Sequence, residues 1–292
     1  MRFAPLFAIA FGVLLAVLVG SIGKTHAAWA KLGGFFSAQP EAVSATHVET
    51  NDPRQLDHLK PQKQAETLLE LAVSHPNGAL AINQISSRVD RWQGKLKWDA
   101  QMATLTTAAL NSSDMRVRES GVEVELAAYG LAKNPASLDY LLKTAESPDH
   151  AQKIWALWAL GLMGNRGVGT GRVLQVLTAH LKDSDEESRR WAVEGLALVG
   201  TNEAIGSLLQ AMHDDPSPGV RDRAACSLAE SGMFTREQRF GAVPQLLSYT
   251  DDPALDAQTH AWAFQALGDI TGQRLPGDSA AWRSWYDSTR GN

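Results

Sequence analysis

A ten-residue block recurs through the second half of this chain, and no other feature limits its fold as strongly. Trp155-Ala156-Leu157-Trp158-Ala159-Leu160-Gly161-Leu162-Met163-Gly164 aligns with Trp191 to Gly200, Arg223 to Gly232 and Trp262 to Thr271, at offsets of 36, 32 and 39 residues. Gly121 to Gly130 fits one unit earlier with a slip of one residue. Each block follows an acidic turn: Asp114, Asp149, Asp183 with Asp185, Asp214-Asp215-Pro216, and Asp251-Asp252-Pro253. Each turn in its turn follows an apolar helical stretch such as Ala204 to Leu209. Helix, acidic turn, helix and glycine at roughly 30–40 residues per unit predict an α-solenoid, because one helix pair cannot bury its apolar face without stacked neighbours.

Upstream the same period holds. Leu68, Leu69 and Ala72 share one helical face; so do Ile82, Ile85, Val89 and Trp92; so do Trp98, Met102, Leu105 and Ala109. Pro61 suits a first turn, and Pro76-Asn77-Gly78 a stop. After residue 60 no sustained alternation of period two, the mark of a strand, appears. The expected organisation is an N-terminal address over 1–30, a flexible linker over 31–60, an array over 61–273 and a cap over 274–292. The linker carries Gly33-Gly34, Pro40 and Pro53, with Phe35-Phe36 as its one apolar spot.

Val220-Arg221-Asp222-Arg223-Ala224-Ala225-Cys226-Ser227-Leu228, after Asp214-Asp215-Pro216, resembles the HEAT repeat in its short bacterial form, related to the phycobilisome-lyase repeats. The resemblance spans about residues 61–270. It implies an all-α, right-handed α-solenoid of about six HEAT-type helix pairs with a C-terminal capping helix. It also implies that second helices line a concave, partner-binding side. Ile270-Thr271-Gly272-Gln273, followed by Ala281-Trp282-Arg283-Ser284-Trp285-Tyr286, resembles the ending of many exported bacterial HEAT proteins.

The first thirty residues read as an export signal. Phe3 to Gly23 runs 21 residues without a charge between Met1-Arg2 and Lys24. Small residues at Thr25-His26-Ala27 and Ala28-Trp29-Ala30 suit cleavage, whereas the length of the run suits a membrane anchor through residues 3–23. Both readings place the remainder outside the cytoplasm, in the periplasm or cell envelope. Net charge is −5, and removing Arg2 and Lys24 with the first thirty residues, which hold no acid, makes it −7. An acidic chain is a poor general nucleic-acid binder, so no nucleic-acid partner is expected. A single cysteine excludes an intrachain disulfide and a multi-thiolate metal site.

Arg118, Lys153, Arg189, Arg221 and His260 recur at similar positions, the first three each four residues after an aspartate. They form either an internal Asp–Arg ladder or a basic stripe for an acidic partner. Trp155, Trp191 and Trp262 share a register that Arg223 fills between them, so these four are the candidate partner-binding residues, by packing or by contact. Outward positions on the second helices are Glu123, Glu187, Glu194, Asp222, Glu230 and Gln265. Gly164 to Gly171 is glycine-rich but follows a helix and lacks a Lys-Ser/Thr ending, so it reads as a turn. None of the eight histidines precedes a glutamate, and His213-Asp214-Asp215 stands alone. Cys226 lies within an apolar register. No catalytic residue, metal or cofactor is therefore assigned. The expected function is a non-catalytic protein-binding scaffold, the alternatives being an enzyme or accessory of the bilin-lyase-like class and a purely structural envelope component. At the end of the chain, Trp282, Trp285 and Tyr286 fall on one helical face, as a lid on the last pair or as an exposed hook.

Overall fold

A computed structural model describes residues 56–74 and 78–290. Contacts divide the chain into residues 1–59 and 60–292. Of the first unit only one helical turn at 56–59 is described, so the export signal and most of the linker lie outside the described residues. Among the described residues no helix is long and apolar enough to cross a membrane.

The second unit is an all-α repeat solenoid, with no strand among its described residues. Six first-and-second helix pairs follow one another: α1 (Pro61–Ser74) with α2 (Ala79–Trp92), and α3 (Ala100–Leu110) with α4 (Met115–Ala128). Next come α5 (Pro135–Ala145) with α6 (His150–Asn165), and α7 (Thr170–His180) with α8 (Glu186–Val199). Then α9 (Asn202–Asp214) pairs with α10 (Pro218–Cys226), which continues as a π-turn over Ser227–Ser231. After a short α11 (Arg236–Phe240), α12 (Val243–Tyr249) pairs with α13 (Ala257–Thr271), and α14 (Ser279–Arg290) closes the described chain. Trp98 is not on a helix: Asp99 is the N-cap of α3, its side chain accepting from Met102 N, so the helix begins after the tryptophan.

The acidic turns start the second helices. Asp114, Asp149, Asp185 and Asp256 each accept a backbone N–H of the following first turn, and Ser217 does the same for α10. Such caps satisfy donors that have no intrahelical partner. Gly200 and Gly272 end α8 and α13 in the left-handed region, at φ of 67° and 72°.

Pairs three to six stack with their second helices parallel. Asn165 Nδ2, at the end of α6, donates to Leu198 O at the end of α8, while His150 and Asp185 meet at their starts. Helix α4 breaks this rule. Arg166, just past α6, pairs with Glu119 and Glu123 in the first half of α4, and Tyr129, just past α4, meets Trp155 and Trp158 near the start of α6. The two helices are therefore antiparallel. Arg118 of α4 accordingly reaches the far end of α10, donating through Nη1 to the carbonyl of Gly232 at 3.0 Å. One apolar core runs from Val122 and Leu126 of α4 through to Trp282 of α14.

Candidate functional site

The recurring bases build the ladder, but each reaches the acid of the next turn. Lys153 Nζ lies 3.1 Å from Asp183, Arg189 grips Asp215 through Nε at 2.8 Å and Nη2 at 3.1 Å, and Arg221 reaches Asp256 at 2.6 Å. Each guanidinium also donates to its own turn, Arg189 to the carbonyls of Asp183 and Ser184 and Arg221 to those of Asp215 and Pro216, while Arg221 Nε donates to Thr259 Oγ1 of the next unit. Aspartates four residues upstream are occupied as helix caps instead. Arg118 has no such rung, because the reversed α4 turns it away from Asp149 and toward Ser112 O, Glu230 O and Gly232 O. His260 donates to Asp252 O at 2.9 Å. His213 sits between Asp214 and Asp252, and its hydrogen bond with Asp214 raises its pKa. Among the described residues no group of three or more His, Cys, Asp and Glu side chains is placed to hold a metal ion.

The four candidate partner-binding residues differ in their surroundings. Trp155 is half-buried, its ring edge-on to Tyr129 at 6.0 Å and to Tyr140 at 6.4 Å. Tyr129 also stacks on Trp98 at 5.1 Å, so the chain's own aromatics fill the junction between α4 and α6. Trp191 is half-buried against the core. Arg223 forms an ion pair with Glu194 of α8 rather than a cation–π contact with a tryptophan. Among the described residues Arg239 lies over Phe234, 5.8 Å from guanidinium carbon to ring centre.

Trp262 lines a shallow, open groove between α10 and α13. Its floor includes Ala225, Ala229 and Ala266, and its rim Asp222, Cys226, Glu230, Gln265 and Asp269. Two outward acids of the other second helices are paired: Glu123 with Lys133 and Arg166, and Glu194 with Arg223. Among the described residues Asp222, Glu230 and Asp269 have no ion-pair partner within 4.0 Å. Burial raises the pKa of Asp222 and of Asp269. Burial, with Asp222 beside it, pushes the Cys226 thiol up to about 11, so it is a poor nucleophile. The sequence flagged Trp262, Asp222, Glu230 and Gln265 separately. It missed Asp269, whose signal is its place seven residues after Trp262, two helical turns along the same face.

Residues 102–197 and 138–229 match the family described as HEAT repeats. Together these spans run from 102 to 229, short of half of the 292 residues. This stretch is similar to HEAT repeats. Among solved structures the chain is similar to a designed armadillo repeat protein in complex with the peptide (KR)4, at 16% identity over 70% of this chain and 99% of that one, with a TM-score of 0.36. It is also similar to an engineered protein at 19% identity, over 76% and 93%, with a TM-score of 0.35. A third likeness is to computationally designed armadillo repeat proteins for modular peptide recognition, at 16% identity, over 70% and 99%, with a TM-score of 0.35. No curated protein matches.

Proposed function

We propose that this chain is a non-catalytic protein-binding scaffold of the cell envelope, exported by residues 1–30 and engaging its partner on the second-helix face. The observation that carries this reading is the open groove between α10 and α13, with half-buried Trp262 beside polar side chains that take no part in the ladder. Aromatic residues bordered by polar ones are what interface centres are built from. On the turn edge, by contrast, the charges are consumed between units, leaving little with which to hold another molecule. The uncharged run from Phe3 to Gly23 supports the address.

Photo-crosslinking in cells tests it. A crosslinking amino acid at Gln265, exposed on α13, should give protein adducts recovered with the envelope fraction, whereas one at Gln210, exposed on α9, should not. Equal adducts from both positions, or none from Gln265, would remove the scaffold reading. Adducts confined to the cytosol would remove the address.

A further inference from the structure

We infer that the groove between α10 and α13 is a subsite for an arginine side chain of the partner protein, a reading that rests on the scaffold function above. Three features converge there. Asp222 on α10, Glu230 on the π-turn and Asp269 on α13 line one open space, and among the described residues no cation lies within ion-pair distance of them, Arg223 and Arg190 acting on Asp222 from farther off. Arg223, the nearest in sequence, is committed to Glu194. The floor between the acids is apolar and ends on the indole of Trp262. A guanidinium suits this combination better than an ammonium: it is planar, so it stacks on an indole, and its fork of donors spans separate carboxylates. An anionic segment would meet like charge from the three acids, and a purely apolar one would cover them without bringing a countercharge.

The chain supplies its own indication of the ligand. Arg118, reaching in from the reversed α4, already places its guanidinium on the carbonyls of Glu230 and Gly232, at 3.4 and 3.0 Å. The end of α10 thus accepts two guanidiniums, those of Arg118 and Arg239, on its backbone oxygens, while Glu230 lines the groove. A partner's arginine would enter from the open side, lie over Trp262 and meet Asp222 and Asp269.

The test uses the purified chain and fluorescently labelled hexaarginine, with hexalysine and hexaglutamate for comparison. Hexaarginine should bind, hexalysine more weakly, and hexaglutamate not at all, with affinity falling as salt is raised. The double variant Asp222→Asn with Asp269→Asn should weaken hexaarginine about tenfold, and Trp262→Phe should weaken it by a smaller factor. Glu203→Gln with Glu237→Gln removes the same charge from exposed positions on α9 and α11 and should change affinity less than about twofold. The Asn variant is close to isosteric, and its two acids are burdened by burial, so an unchanged melting temperature checks its fold. Equal losses in the two double variants, or no loss in either, would overturn the subsite and show only the general field of an acidic chain. Crosslinks from Gln265 alongside such a result would leave the scaffold standing. Groove-dependent hexaarginine binding without crosslinks would uphold the subsite and remove the scaffold.

Discussion

Glu125, on α4, is only 4% exposed, and its Oε2 has no hydrogen-bond partner among the described residues. Burial pushes its pKa up to about 8, against the opposing effect of a hydrogen bond from Thr106. The sign of the consequence follows from linkage. The folded chain holds this proton up to about pH 8, while the unfolded chain releases it near the ordinary glutamate value of about 4.3. Stability from this group is therefore full below that lower value, is lost as pH rises toward 8, and is level beyond. Glu125→Gln keeps the shape and the hydrogen-bonding side chain but cannot ionise. The variant should match the parent near pH 4 and melt higher than it at pH 8, by a few kcal/mol at about 1.4 kcal/mol per pH unit. Thermal melts across that range decide it, and parallel curves for the two proteins would mean Glu125 finds compensation. Arg239 shows the opposite treatment of a buried charge: its guanidinium spends its donors on the carbonyls of Ser227, Leu228, Glu230, Gly232 and Phe234, closing the π-turn.

Between elements, the closest approach is α6 against α8. A Cβ on Gly161 would stand 2.5 Å from Gly195 O, and one on Gly195 would stand 2.6 Å from Leu157 O. These are backbone atoms, so neither helix can yield without the whole junction shifting. Gly161→Ala should cost about 1–3 kcal/mol by overpacking, even though alanine favours a helix interior by up to about 1 kcal/mol. Chemical denaturation would read this as a lowered midpoint, and a raised midpoint would place the helices farther apart. The glycines were visible in the repeat, as were the helices, the acidic turns between them and the ladder bases; that the aspartates of those turns cap the second helices was not. Neither was which acid each base takes, because an aspartate four residues behind and one in the following turn both fit the unit spacing. That choice is made by competition: the nearer acid lowers its energy by capping its own helix, and the base is left to the neighbour. The reversal of α4 was equally hidden. Gly121 to Gly130 fits the repeat pattern, and a pattern of buried positions states what a helix buries, not which way it runs along its neighbour. In the groove, Trp262 was legible as a register position, but its three acids become one site only when α10 and α13 lie side by side.

For the whole molecule, the last pair is covered by α14. Trp282 is 1% exposed, its indole Nε1 donates to Pro276 O at 3.0 Å, and its ring meets Trp285 edge-on at 5.9 Å. Asp278 accepts from Ala281 N and starts the helix, while Arg283 ties it back to Asp251 at 2.7 Å. Removing such an indole costs about 3–5 kcal/mol, a large share of a total of about 5–15. Trp282→Ala should therefore melt markedly lower and associate end to end, as scattering or sizing chromatography would show. A variant that melts like the parent and stays monomeric would make this helix a hook for another protein rather than a lid. The ladder has a different consequence for the molecule as a whole. Its rungs are chemically interchangeable, since Lys153 would be as well satisfied by Asp215 as by Asp183. Charge thus tells two units that they are adjacent without telling them which two they are. Seniority along the array is written instead in its misfits: the bare backbone where Gly161 meets Gly195, and units of unequal length. A chain with two inner units shuffled would still find partners for its ladder bases, and would fail in its shape and in the pairs peculiar to one junction, such as Arg223 with Glu194.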